Sequence, residues 1–188
     1  MKQSTNPSAI RSRQMLTDSL LILMQEKTYQ QISIKDIAEK ADLNRRTFYR
    51  NFITKDDILF CHGKQLIEQL GKNIQSKGLY SFHSICESYF EFWLQNLDFL
   101  KLLKKNNLLY FLFEQFDQYH NQLHLFLPNI EHKEATRFSV AFALGGFWST
   151  LVQWLNTGAT KPPSYMADLI CSTLQNPFTE SNQFEKGL

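Results

Sequence analysis

The stretch IKDIAEKADLNRRTFYR, running from Ile34 to Arg50, decides the fold class. Ser33 stands before it as a helix cap, and Asp36 occupies the third helical position, where a carboxylate reaches back to the cap's N–H. A short helix over 34–40 follows, apolar at Ile34, Ile37 and Ala38. Ala41, Asp42 and Leu43 supply a tight turn, with Leu43 directed inward. Asn44 then caps a second short helix over 45–51, in which Phe48 packs back toward Ile34 and Ile37. Its other side carries Arg45, Arg46, Tyr49 and Arg50. Two short helices joined by such a turn have the layout of a helix-turn-helix. Guanidinium groups on the outer face of the second helix suit the DNA major groove, where Arg pairs with guanine O6 and N7.

Working outward, the periodicity stays helical. Asn6 and Pro7 open a first helix that buries Leu16, Leu20 and Leu23 and frays near Lys27 and Thr28. Thr54 and Asp57 repeat the capping box and open a long helix to about Ser76, before a break at Ser76-Lys77-Gly78. Helical segments follow at about 81–97, 98–105 and 108–125, the last ended by Pro128 and Asn129. A long helix over 131–155 stops at Gly158, and a final one runs from Pro162-Pro163 to near Leu174. Seven Gly and five Pro are too few for a fold of many tight turns. The expectation is an all-α chain of about nine helices. It divides into a head over 1–55, packed on by the next helix to about 62, a body over 63–175, and a flexible tail over 176–188.

Charge follows this division. The net charge of +2 over 188 residues is uninformative as a sum, but residues 1–55 hold ten Lys/Arg against five Asp/Glu. Residues 56–188 hold ten against thirteen, so a basic head precedes an acidic body. Of the 26 aromatic residues, 18 fall between Tyr80 and Trp154, which gives the body ample area for its own core. Three dispersed cysteines make neither a disulfide framework nor a metal knuckle, and a reducing cytoplasm is the expected compartment. No apolar run approaches the ~20 residues that span a bilayer, so no membrane partner is expected.

Residues 34–59, above all Thr47 to Leu59, resemble the N-terminal domain of the tetracycline-repressor (TetR) family of transcriptional regulators. The resemblance rests on Tyr49, Phe52 and Lys55 at intervals of three, followed by Asp56, Asp57, Ile58 and Leu59, and on Ile37-Ala38 upstream. It extends over roughly residues 10–60. It implies a double-stranded DNA operator as partner, with Tyr49, Lys55 and N-terminal residues such as Arg11 or Arg13 on phosphates. Arg45, Arg46 and Thr47 would face bases, and Ser33, Asn44 and Arg50 complete the expected DNA-binding set. Thr28 departs from the family's usual Gly at the end of the first helix, Asp42 from a usual turn Gly, and Ile53 from a frequent Pro.

The resemblance also implies a homodimer built on the last two helices and an effector site in the body. Ala141, Gly145 and Ser149 form a small-residue ridge, and Phe138, Phe142, Trp148 and Val152 would complete a dimer interface. Gly145-Gly146 within a helix costs about 2 kcal/mol relative to two Ala, so close packing is expected there. An effector pocket would draw on Tyr89, Trp93, Tyr110, Phe113, Phe116 and Tyr119, an aromatic set that would equally serve as ordinary core. A ligand there is expected to be hydrophobic, planar or cationic. His120 and His124, with Asp117 one turn earlier, have spacing possible for zinc but no supporting signature, so neither metal nor cofactor is expected. No catalytic grouping appears, and an enzyme is not expected. The leading function is a repressor released from a palindromic operator by a small effector. Alternatives are an activator or a regulator controlled by a protein partner and, more distantly, a helical small-molecule-processing protein.

Overall fold

The computed structural model describes residues 6–78, 81–119 and 134–175, with side chains from 116–119 and 134–137 left aside. Nine α-helices and one 3-10 turn make up these residues, with no strand among them. In order they are α1 (Pro7–Glu26), the 3-10 turn (Tyr29–Gln31), α2 (Ile34–Lys40), α3 (Arg45–Asn51), α4 (Lys55–Ser76), α5 (Phe82–Gln95), α6 (Leu97–Lys105), α7 (Leu109–Tyr119), α8 (Glu134–Asn156) and α9 (Pro163–Gln175).

Local signals set the starts of these helices. The Asn6 side chain accepts from Ser8 N–H at 3.0 Å, with Pro7 at the first helical position. Ser33 with Asp36 and Thr54 with Asp57 both form complete capping boxes. Asn44 accepts from Thr47 N–H at 2.8 Å. Thr28 and its neighbour need no glycine, because Lys27 leaves α1 in extended backbone and Thr28 sits at φ −66°. The turn after α8 is set by Gly158 at φ +86°, as expected, and by Ala159 at φ +56°. Ala159 N–H closes it onto Trp154 O at 2.8 Å.

The helix α4 joins the two halves. Its first turns bury Ile58 and Leu59 against the head, and its later turns bury Leu66, Ile67 and Leu70. It packs on α1 at one end and on α5 and α7 further along. Gly63 marks the close approach to α7: a Cβ there would lie 3.5 Å from Gln115 Cγ and 3.7 Å from Leu112 Cδ1. One buried cluster runs from Leu16 through Phe48 and Phe90 to Met166.

Polar ties cross between the halves as well. Tyr29 N–H donates to Asn106 Oδ1 at 2.9 Å, across 77 residues, while Asn106 Nδ2 donates to Leu102 O at 3.0 Å. Lys105 Nζ donates to Gln25 O at 3.0 Å. His62 on α4 meets Phe99 on α6 edge to face, with ring centres 4.7 Å apart.

The helix α8 corrects only the expectation that no apolar run approaches bilayer length. Its segment Phe138–Asn156 has 19 residues and a mean hydropathy of 1.3, enough by length and composition alone to cross a bilayer. Its surroundings are mixed, however. Leu151, Trp154 and Leu155 are buried in the core, whereas Phe138 and Phe142 are 72% and 73% exposed. The residues Pro128 and Asn129, expected to end a helix, lie outside the described residues, as do His120 and His124. The side chains of Asp117, Phe116 and Tyr119 fall outside them too.

Candidate nucleic-acid interface

The recognition surface is assembled by packing beneath it. Ile37, Ala38, Ala41 and Phe48 are buried, and Leu43 and Ile34 pack against the same core. The turn between α2 and α3 is closed by Leu43 N–H donating to Ala38 O at 2.9 Å. Asp42 takes φ +52°, the left-handed conformation that Gly often supplies and Asp tolerates. Asp36 anchors the start of α2: Lys27 donates to its carboxylate at 2.8 Å, and Ser33 N–H does so at 2.8 Å. The lysine bond first, and the backbone bond second, hold this carboxyl well below the usual carboxylate range.

With Phe48 turned inward, α3 presents Arg45, Arg46, Tyr49 and Arg50 to solvent. Among the described residues, no arginine of α3 takes part in an ion pair. Three exposed guanidinium groups thus project from a helix anchored at its cap and by its buried ring. Thr47 is half-buried and its hydroxyl donates to Asn44 Oδ1 at 3.1 Å, so Asn44 and Thr47 form the cap as well as bordering the surface. Ser33 likewise has its hydroxyl oxygen engaged, accepting from Asp36 N–H at 3.1 Å.

Lys55 is placed differently from a freely extended cation. Its ammonium donates to Tyr29 O at 2.6 Å and Ile32 O at 2.8 Å, and lies 4.3 Å from the Tyr29 ring centre. Burial lowers its pKa, opposed by the charge of Asp56. Two of its three N–H groups therefore fasten the start of α4 to the segment between α1 and α2, and one remains for an outside acceptor. The Tyr29 hydroxyl donates to Asp56, and burial together with that carboxylate raises its pKa.

A groove of about 700 Å³ opens between the start of α1, α3 and α4, lined among others by Arg13, Thr47, Arg50, Asn51 and Lys64. Lys64, which pairs with Glu68 at 4.0 Å, was not foreseeable from spacing, because its place in this groove depends on the packing of α4 on α1.

In the body, the four expected pocket residues whose side chains are described, Tyr89, Trp93, Tyr110 and Phe113, do not share one environment. Tyr89 and Trp93 are buried core, and Tyr89 meets Phe90, Trp93 and Phe147 at ring distances of 5.2, 6.4 and 4.8 Å. Tyr110 and Phe113 are instead 51% and 43% exposed. Two further cavities, of about 340 and 170 Å³, open among the described residues. None of the three cavities is lined by Tyr89, Trp93, Tyr110 or Phe113.

The expected interface residues also divide. Phe138, Phe142, Gly145 and Ser149 are exposed, and a Cβ added at Gly145 or Gly146 would meet nothing within 4 Å. Trp148 is half-buried and stacks toward Phe113 on α7 at 5.4 Å, and Val152 is half-buried. Among the described residues no cluster of His, Cys, Asp or Glu could hold a metal ion.

A capped, inward-anchored second helix bearing free arginines, on a helical body, defines a helix-turn-helix regulator. Two family models agree: residues 16–60 match bacterial regulatory proteins of the tetR family, and residues 81–176 match a transcriptional regulator C-terminal region. The chain belongs to the tetR family of bacterial transcriptional regulators. Two solved structures share its fold. The fatty acid degradation regulator FadR from Bacillus halodurans is 15% identical with a TM-score of 0.65, covering 94% of this chain and 98% of that one. The transcriptional regulator FadR from Bacillus subtilis, solved in complex with stearoyl-CoA, is 16% identical with a TM-score of 0.62, covering 88% and 99%. No curated protein matches the sequence.

Proposed function

We propose that this chain acts as a homodimeric repressor, held on a palindromic operator by α3 and released when a hydrophobic effector binds the body. The observation that carries this reading is the row of unpaired Arg45, Arg46 and Arg50 on a short helix whose other face is locked into the core. Arg45 and Arg46 would read bases. Tyr49, Arg50, Arg13 and the remaining N–H of Lys55 would position the phosphates, with Ser33, Asn44 and Thr47 bordering the contact.

The exposed face of α8 supports the dimer. Phe138 and Phe142 are uncovered, and the open space above Gly145 and Gly146 leaves their helical cost of about 2 kcal/mol without return inside one chain. Beside them lies the apolar groove of about 340 Å³, walled by Phe82, Phe142 and Phe147 and by Leu169, Ile170 and Leu174 of α9. A second copy would cover this face. Two-fold symmetry would then set two copies of α3 on half-sites about 34–36 Å apart, a spacing that tolerates little displacement.

The stearoyl-CoA held by the Bacillus subtilis structure makes a long-chain acyl thioester the first effector to try. A second reading, control by a protein partner, is favoured by the closed packing of Tyr89 and Trp93 beside an exposed apolar face. Operator selection from random duplex DNA followed by titration with stearoyl-CoA separates the two. The repressor reading expects a palindrome whose affinity falls with the thioester but not with free coenzyme A. Operator binding indifferent to every acyl thioester would count against it and leave the partner-controlled reading.

A further inference from the structure

We infer that Cys86 on α5 and Cys171 on α9 form a thiol pair that peroxide converts into an intramolecular disulfide, locking the two helices together. The pairing rests on the register of the two helices. His83 Nε2 and Asp168 Oδ1 meet at 2.8 Å, and the residues are 85 apart in sequence. Cys86 and Cys171 lie one turn further along and have the same offset, which sets the two thiols side by side, near enough for Cys171 to raise the Cys86 pKa. Helices α5 and α9 are also the most extensively packed pair among the described residues.

The two thiols differ in access, and that difference orders the chemistry. Cys86 is fully buried, and burial with the neighbouring thiol pushes it up to about 12, so it does not start the reaction. Cys171 is partly exposed and meets the oxidant first. Its sulfur attacks one peroxide oxygen and the O–O bond breaks, giving a Cys171 sulfenic acid and one water. The Cys86 sulfur then displaces the sulfenic hydroxyl, its proton leaves with that hydroxyl as a second water, and the S–S bond closes. Two thiols are oxidised and one peroxide is reduced. The third cysteine, Cys61, is on α4 in the head and takes no part. In a reducing compartment such a bond would be transient, as cytosolic disulfides are when they report oxidants. Because Leu169, Ile170 and Leu174 of α9 wall the apolar groove beside α8, the cross-link would fix that wall to α5.

The test uses the full, reduced chain exposed to stepwise hydrogen peroxide and then alkylated under denaturing conditions. The number of alkylatable thiols should fall from three to one. The remaining label should sit on Cys61, a Cys86–Cys171 cross-linked peptide should appear, and dithiothreitol should reverse the change. C61S should lose both of its thiols in the same dose range, while C171S should keep Cys86 alkylatable. A Cys171 oxidised to sulfinic acid beside an alkylatable Cys86 would overturn the inference. So would disulfides found only between chains.

Discussion

Replacing Asn106 by Ala tests the tie between head and body. Asn106 is 7% exposed and serves two neighbours, accepting from Tyr29 N–H at 2.9 Å and donating to Leu102 O at 3.0 Å. Asn106→Ala leaves the Tyr29 N–H buried without an acceptor, at about 1–3 kcal/mol, and removes a second bond of about 1 kcal/mol. The expected loss is therefore about 2–4 kcal/mol, read as a shift in the urea midpoint at constant slope. Asn106→Asp keeps an acceptor for Tyr29 but loses the donor to Leu102, and it places a negative charge at the C-terminus of α6. It should fall between the parent and Ala, with the dipole accounting for about 0.3–1 kcal/mol. A loss below about 0.5 kcal/mol for Ala would refute the reasoning, since it would mean that water or a backbone shift satisfies Tyr29 freely. Asp proving worse than Ala would show that charge, not the missing acceptor, governs the site.

Four further variants have expected outcomes. Arg46→Ala should cost about 1–3 kcal/mol of operator affinity and relax selectivity at one position, whereas Lys55→Ala should weaken all sequences alike and flatten the salt dependence. Because Lys55 also fastens Tyr29 O and Ile32 O, its variant should lose fold stability too, which a melting curve without DNA will register. Phe142→Glu should leave the single chain within about 0.5 kcal/mol of the parent, as its ring is exposed, yet shift sedimentation toward monomer and weaken operator binding together. His62→Phe tests a pH term. Burial lowers the His62 pKa from the ordinary 6.5, with Asp18 opposing, so the unfolded chain binds the proton more readily. That contribution is intact above pH 6.5 and is lost as pH falls through the folded value. The parent should therefore lose more stability than the Phe variant on going from about pH 7.5 to 5.5. Equal losses would show that another group governs the acid limb.

The parts legible in the sequence are those with local causes. Ser33 with Asp36, Asn44 with Thr47, and Thr54 with Asp57 all bond within three residues, so their order in the chain already implies the helices they start. Phe48 and Arg46 sort to opposite faces by the helical repeat alone. The features that spacing leaves open depend on distant partners. Lys55 is drawn to carbonyls 23 and 26 residues upstream, so a residue expected to reach phosphate also braces the head. Tyr89 and Tyr110 are equally aromatic and both helical, yet one is buried and the other half-open because of neighbours the repeat does not specify. The contact between Cys86 and Cys171 is invisible in spacing for the same reason.

The path of α4 through both halves bears on how such a reading head could be transplanted. A graft cut at the end of α3 would leave behind Ile58 and Leu59, which share a buried cluster with Phe48 of the recognition helix, together with the lysine brace. A cut later in α4 would carry Gly63 onto a foreign body lacking the Leu112 and Gln115 side chains that approach it. Exchanging DNA specificity in this scaffold is better done by rewriting the solvent face of α3 than by moving the head as a cassette.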